Sequence, residues 1–220
     1  MTLNKTFVLA GLILLKPAAF AGAAVVVDAN WTVNSPIPDN GAVGFTTYQS
    51  FTGLSENPIS DVVVNLDISG GFNGALYGYL TLQDANGNTG TEILLDQIGV
   101  SPSNPIGSSG SGLNVTLSDA GVVNGNIHNA TGNPVGIWQP DSVSSLDGAF
   151  GGLDANGTWT LFLVDKFSTG DAAILDSWGL DISVTAIPEP PTIALLMSGG
   201  GIAAFVLSRS RLRGFKFQSK

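Results

Sequence analysis

Between residues 24 and 187 the apolar side chains recur at every second position wherever a pattern is clear, and no window of twelve residues carries a helical stripe. That periodicity excludes a helical core. Val62, Val64, Leu66 and Ile68 alternate with Val63, Asn65 and Asp67, while Trp178, Leu180, Ile182 and Val184 alternate with Ser177, Gly179, Asp181 and Ser183. A strand turns successive side chains to opposite faces, so each run predicts one buried and one wet face. Residues 159–164 are apolar enough to predict a central strand buried on both faces. Further strands are expected at 44–51, 76–82, 91–97 and 112–117. Turn formers separate them: Pro38-Asp39-Asn40-Gly41, Asp84-Ala85-Asn86-Gly87, Asn104-Pro105, Asn124-Gly125 and Asp154-Ala155-Asn156-Gly157. Asn-Gly supplies positive φ without strain, which suits tight hairpins. Short strands with frequent turns predict an all-β jelly roll or β-sandwich. Residues 101–112, dominated by Ser, Pro, Gly and Asn, are expected to form a long mobile loop.

Charge is unevenly placed. Of the eight Lys and Arg, Lys5 and Lys16 precede residue 24 and five follow residue 187, leaving Lys166 alone between them; sixteen of the seventeen acids lie in that same stretch. Nucleic acid is excluded as a partner, because phosphate binding needs clustered Lys and Arg. The same excess of carboxylates favours solubility and divalent cations. The chain has no cysteine. Without disulfides, the domain must rely on its core, on association or on metal, and a stretch of this length suffices for one core.

Both ends read as addresses. Lys5 precedes the apolar run 6–15, and small residues follow at Ala19-Phe20-Ala21 and Ala21-Gly22-Ala23, which predicts a secretory signal peptide over 1–23. At the other end, Ile187-Pro188-Glu189-Pro190-Pro191 leads into an uncharged apolar run and then Arg209, Arg211, Arg213, Lys216 and Lys220. A transmembrane helix is expected over 191–208. Residues 191–207 would span about 25 Å as a helix, a little less than a hydrocarbon core of about 30 Å. No polar stripe marks it as a helix buried in water. The basic cluster would stay cytoplasmic, which places the preceding chain outside. This terminus, residues 187–220, resembles a PEP-CTERM sorting signal, carried here by Pro188, Glu189 and Pro190, the apolar helix, and Arg209, Arg211 and Arg213. The resemblance implies processing by an exosortase, a membrane transpeptidase of Gram-negative, exopolysaccharide-producing bacteria. It also implies an inner-membrane-anchored precursor that ends in the cell envelope or outside the cell. Residues 214–220 extend beyond the usual basic end.

The body, residues 24–186, carries a second series of motifs. Ile37-Pro38-Asp39-Asn40-Gly41 is followed by Ile59-Ser60-Asp61-Val62-Val63-Val64-Asn65-Leu66-Asp67-Ile68, then Thr116-Leu117-Ser118-Asp119-Ala120, Gly136-Ile137-Trp138-Gln139-Pro140 and Leu146-Asp147-Gly148-Ala149-Phe150. Gly157-Thr158-Trp159-Thr160-Leu161, Val164-Asp165, Gly170-Asp171 and Leu175-Asp176-Ser177-Trp178-Gly179-Leu180 close it. In order, these motifs resemble the P domain (P/Homo B module) that follows the catalytic domain of kexin- and furin-like proprotein convertases. The resemblance covers roughly residues 35–184 and implies a jelly roll of P-domain type. Where P domains usually read Asp-Leu followed by a Ser-Pro-x-Gly-Thr turn, this chain has Ala75-Leu76 and Gln83-Asp84-Ala85-Asn86-Gly87. The resemblance therefore implies no site built around that aspartate here.

The residues offer little for catalysis. A Ser or Cys nucleophile needs an oriented base, and the single histidine, His128, lies among turn residues where a solvated role is expected. One histidine and no cysteine also exclude an ordinary zinc site. Carboxylates in Asp-x-Asn-Gly turns ordinarily bond their own backbone, which argues against a glycosidase pair. Calcium is the candidate cofactor, because Asp, Asn and backbone carbonyls are the oxygen ligands that hard cations take. Asp165 and Asp171 bracket a loop between two buried strands, and the P-domain resemblance implies that Asp119 and the Asp154 turn converge on it. Lys166 within that loop counts against a highly charged site.

Among the tryptophans, Trp159 and Trp178 fit inward positions, whereas Trp138, beside Gln139-Pro140, is the candidate exposed anchor for a sugar. The sequons at Asn30, Asn114, Asn129 and Asn156 reflect Thr and Asn richness. The reading is an exported, non-catalytic structural or adhesive protein. Its alternatives are an accessory P domain that docks a secreted subtilisin-like protease, and a carbohydrate-binding module of the exopolysaccharide matrix.

Overall fold

Alternating apolar residues become two packed sheets, with the even positions of one strand facing the odd positions of another across a shared interior. The computed structural model describes residues 23–185 apart from 40, 42, 121–122, 168–169 and 171. The strands are β1 (Ala23–Ile37), β2 (Phe45–Phe51), β3 (Ile59–Gly70), β4 (Leu76–Asp84), β5 (Thr89–Asp96), β6 (Leu113–Leu117), β7 (Val135–Trp138), β8 (Gly157–Asp165) and β9 (Ala173–Thr185); a five-residue helix, α1 (Leu146–Phe150), precedes β8. One sheet has the order β1-β9-β3-β6-β7 and the other β2-β8-β4-β5. β1 pairs with β9, β2 with β8, β3 with β6 and β4 with β5, all antiparallel. This nesting is a long hairpin rolled into a jelly roll, with β7 added parallel to β6 at one edge.

The expected inward residues build the core. Val64, Leu66, Trp178 and Leu180 from one sheet meet Leu80, Leu82, Trp159 and Leu161 from the other. Trp31, at the flank, packs its ring 5.0 Å from that of Trp178. Truncating any one of the two buried tryptophans to alanine would cost about 3–5 kcal/mol.

Several expectations need correction. β8 is central, yet it is not buried on both faces: Trp159, Leu161 and Leu163 point inward, whereas Thr160 and Phe162 are only half-buried on the outer face. Phe162 makes the run look apolar on both faces, and its ring is covered on the outer face by stacking on Tyr79 of β4, rings 4.8 Å apart. β1 lies outside the expected strands because its period is hidden: it opens with the unbroken apolar run Ala23–Val27, and register shifts interrupt it at Val25/Val27 and Thr32/Ser35. Pro36 is tolerated there because β1 is an edge strand.

Residues 101–112 are tied down. Ser108 accepts from Gly74 N and donates its own N–H to Ile98 O, and Gly110 O accepts from Asn73 N. The buried Asn73 side chain adds hydrogen bonds of 2.9 Å to Gly112 O and to Gly132 O. Gly110 must be glycine, since a Cβ would collide with the Gly132 carbonyl. No helix among the described residues is long and apolar enough to cross a membrane. The expected signal peptide, except for Ala23, and the sorting signal with its 191–208 helix lie outside the described residues.

Candidate metal centre

Four aspartates were expected to share one site, and the fold separates Asp119 and Asp154 from Asp165. Asp154 lies just before β8 and Asp165 is its last residue, so eight strand steps alone hold them on the order of 25 Å apart. Asp119 falls at the same end as Asp154: it follows β6, and Ile59, which opens β3, donates its N–H to Leu153 O. The convergence of Asp119 and Asp154 on the Asp165 loop is therefore corrected by topology. Both oxygens of Asp119 are already used, accepting from Leu146 N at 3.2 Å and Asp147 N at 2.7 Å to seat the start of α1. Asp154 closes its own turn, accepting from Asn156 N at 2.9 Å and Asn156 Nδ2 at 2.7 Å. The two Asp-Ala-Asn-Gly turns face each other, because Ala85 N donates to Asn156 O at 2.9 Å. Asp171, together with Pro188, Glu189, Pro190, Arg209, Arg211 and Arg213, lies outside the described residues.

Asp165 is different. Its residue is fully buried, Oδ1 accepts from Phe167 N at 3.0 Å, and Oδ2 is buried with no partner among the described residues. Asp39 stands beside it in the same state, Oδ2 accepting from Gly170 N at 3.0 Å and Oδ1 buried with no partner among the described residues. Backbone bonds lock the two segments together: Gly41 N donates to Asp165 O at 2.7 Å and Asp165 N to Pro38 O at 3.3 Å. Gly41 has φ +68°, a left-handed conformation that favours glycine at this crossing. Burial pushes the Asp165 carboxyl above the usual aspartate range; the Phe167 N–H partly offsets this, and the Asp39 charge adds to it.

Two carboxylates with orphaned oxygens are costly unless a proton or a cation joins them. Sequence reasoning missed Asp39, which it assigned only to a turn. Among the described residues no group of three or more acidic or histidine side chains is placed to hold a metal. A hard cation here would draw on Asp39, Asp165, backbone carbonyls and water. Lys166 does not interfere: its Nζ turns to Asp96 Oδ1 at 3.3 Å and lies 4.1 Å over the Tyr77 ring.

His128 is not the solvated loop residue expected. It sits in a short 3₁₀ turn, Ile127–Asn129, with Nδ1 3.0 Å from Asp141 Oδ2 and Nε2 2.9 Å from Val100 O. Both ring nitrogens are engaged, and a carbonyl accepts only, so Nε2 carries a proton. Burial alone would lower the His128 pKa, but the Asp141 hydrogen bond and charge, with the Val100 carbonyl, raise it above the usual value. Burial raises Asp141 as well, outweighing the histidine and the Asp96 N–H. Trp138 ends strand β7 instead of lying in a loop; it is half-buried against the core, and its Nε1 donates to Val135 O at 3.0 Å.

No protein-family model matches this chain, and no curated protein matches it. Among solved structures, the serine protease of Aeromonas sobria is similar over 73% of this chain and 27% of its own length, at 16% identity and TM-score 0.41. The complex of the Aeromonas sobria serine protease with its chaperone gives 74%, 28%, 14% and 0.41. The structure of infectious bursal disease virus Gt strain gives 86%, 50%, 12% and 0.20. This chain spans little more than a quarter of the Aeromonas chains.

Proposed function

We propose that this chain is an exported, non-catalytic jelly roll of P-domain type, delivered to the cell envelope or extracellular matrix by a PEP-CTERM signal and stiffened there by calcium for structural or adhesive contacts. The observation that carries the calcium reading is the buried Asp165 carboxylate, one oxygen of which has no partner among the described residues, beside Asp39. A cation joining the two would tie the β1–β2 connection to the segment after β8, and extracellular modules bind calcium at roughly 10⁻⁴–10⁻³ M. The occupied ring nitrogens of His128 support the non-catalytic reading, since a general base needs a free one.

Melting of the full chain with and without a calcium chelator tests the cation. At a hundredfold excess over its Kd, calcium would add about 2.7 kcal/mol, a Tm difference of roughly 5–10 °C. Asp165→Asn should abolish that difference; a wild-type Tm indifferent to chelator removes calcium from the reading. Cell fractionation with mass spectrometry of the C-terminus tests the route, and an intact tail in a cytosolic fraction would sink it. The second reading, an accessory module for a secreted subtilisin-like protease, draws on the P-domain-like series over 35–184. Co-purification of such a protease from culture medium would favour it.

A further inference from the structure

The outer face of the five-stranded sheet carries a depression of about 210 Å³ lined by Asn30, Asn65, Asp67, Asn114 and Ser177. The pairing explains how residues so distant in sequence meet: Ser177, Asp67, Asn114 and Val135 form one row across β9, β3, β6 and β7, and Asn30, Gly179, Asn65, Thr116 and Ile137 form the next across all five strands. Gly179 leaves the gap in the second row, and a Cβ there would collide with Asn30 Oδ1. Register shifts fall beside the first row on both neighbours of β9, at Thr32/Ser35 and Asp67/Ile68. Bulges of this kind bend a sheet and re-aim side chains.

The polar groups divide into a fixed floor and free walls. Asn65 is locked, donating from Nδ2 to Asp181 Oδ2 at 3.3 Å and accepting at Oδ1 from Thr116 Oγ1 at 2.8 Å. Asn30, Asp67, Asn114 and Ser177 have no side-chain partner among the described residues, so their donors and acceptors face water. Two of the Asn-x-Thr triplets thereby gain a physical reading. Asn30 and Thr32, like Asn114 and Thr116, lie two residues apart on strands and so point to the same outer face.

We propose that this depression binds one ring of a neutral polysaccharide. An amide offers both donors and an acceptor to adjacent sugar hydroxyls, and Asp67 accepts from two. Val135 and Ile137, 66% and 40% exposed at the ends of the two rows, supply an aliphatic border for the C–H face of a ring. The volume lies below the roughly 300–1,000 Å³ of drug-sized pockets, which suits a single ring of a chain crossing the strands. One carboxylate among amides is a poor calcium site, and a polar depression lacks the apolar core of a protein interface. Asp28, Asp61 and Asp181 on the same face repel acidic glycans. The site rests on the exported reading only for where the sugar is met; binding itself is a property of the purified chain.

The test is titration of the full chain, purified in detergent, with cellohexaose, xylohexaose and mannohexaose, and with hexagalacturonate as the acidic comparison. At least one neutral oligosaccharide should bind with a Kd on the order of 1 mM. Asp67→Ala and Asn114→Ala should each weaken it about tenfold with Tm unchanged, while Trp138→Ala leaves it intact. The proposal is overturned if no neutral member binds, if both variants bind like wild type, or if hexagalacturonate binds equally well. Failure here with a normal chelator response and normal export would remove the sugar site alone.

Discussion

Replacing Asn73 by alanine should loosen one whole end of the sandwich. The side chain is fully buried, and its Nδ2 donates to Gly112 O and Gly132 O, both at 2.9 Å, pinning two loops onto the entry to β4. Leaving the buried Gly112 carbonyl without a donor costs about 1–3 kcal/mol, and the wetter Gly132 carbonyl costs less. Against this, Asn73 Oδ1 is itself buried with no partner among the described residues, so deleting it returns about 1 kcal/mol. The net is a loss of roughly 1–3 kcal/mol, or about 2–12 °C in Tm. Urea melts followed by tryptophan fluorescence read the stability, and amide exchange at Asn73 and Gly74, bonded to Gly110 O and Ser108 O, reads the loop. Both amides should exchange faster in the variant. A stability within about 0.5 kcal/mol of wild type, with exchange unaltered, would refute the clamp.

Stability without calcium should rise as pH falls from about 8 to about 5, because several groups act in one direction. His128 is raised, so its contribution is complete below the unfolded value of about 6.5 and is lost as pH climbs through its folded value. Asp141, Asp147, Asp165 and Asp181 are raised by burial, so the fold gains as pH drops through their folded values. Tm measured against pH should slope accordingly, less steeply in His128→Gln; a flat or opposite slope contradicts the assignments. Asp84 sets the acid limit: burial opposes its charge, but the Asn88 side chain and three backbone N–H groups hold it below the usual range. The buried tryptophans make a matched pair. Trp159 Nε1 donates to Ala155 O at 3.2 Å, whereas Trp178 Nε1 has no partner among the described residues, so Trp159→Phe should cost about 1–3 kcal/mol more than Trp178→Phe in denaturant melts. Equal costs would show that neither N–H matters.

The stretches that were legible in sequence are those over which a strand keeps one phase. β9 shows its inward set, Trp178, Leu180, Ile182 and Val184, without interruption once past the shift that follows Ala173 and Leu175, and β3 does the same from Val62 to Ile68. β1 fails that test because its bulges shift the phase, and β7 because four residues, one of them glycine at positive φ, carry no period. The loop 101–112 has a flexible composition, yet it is ordered by backbone bonds to Asn73, Gly74 and Ile98, with the buried Asn73 amide closing its end at Gly112. Local composition reports the freedom a segment has alone, and not the partner that removes it.

The sites were harder to read for a topological reason. In a rolled hairpin the contacts that matter join residues far apart in the chain, as when Asp39 meets Asp165 or Asn30 meets Asn65 across Gly179. Asp119, Asp154 and Asp165 resemble one another in sequence context, but nested pairing sends the two ends of β8 to opposite ends of the sandwich. Asp39 carried a readable signal only in part: the Pro38-Asp39-Asn40-Gly41 turn was visible, but its burial against the end of β8 follows from β2 pairing with β8. A strand's alternation therefore fixes which face a residue occupies, while its height along the sheet depends on register. Of the two, only height decides whether acids on different connections share a cation.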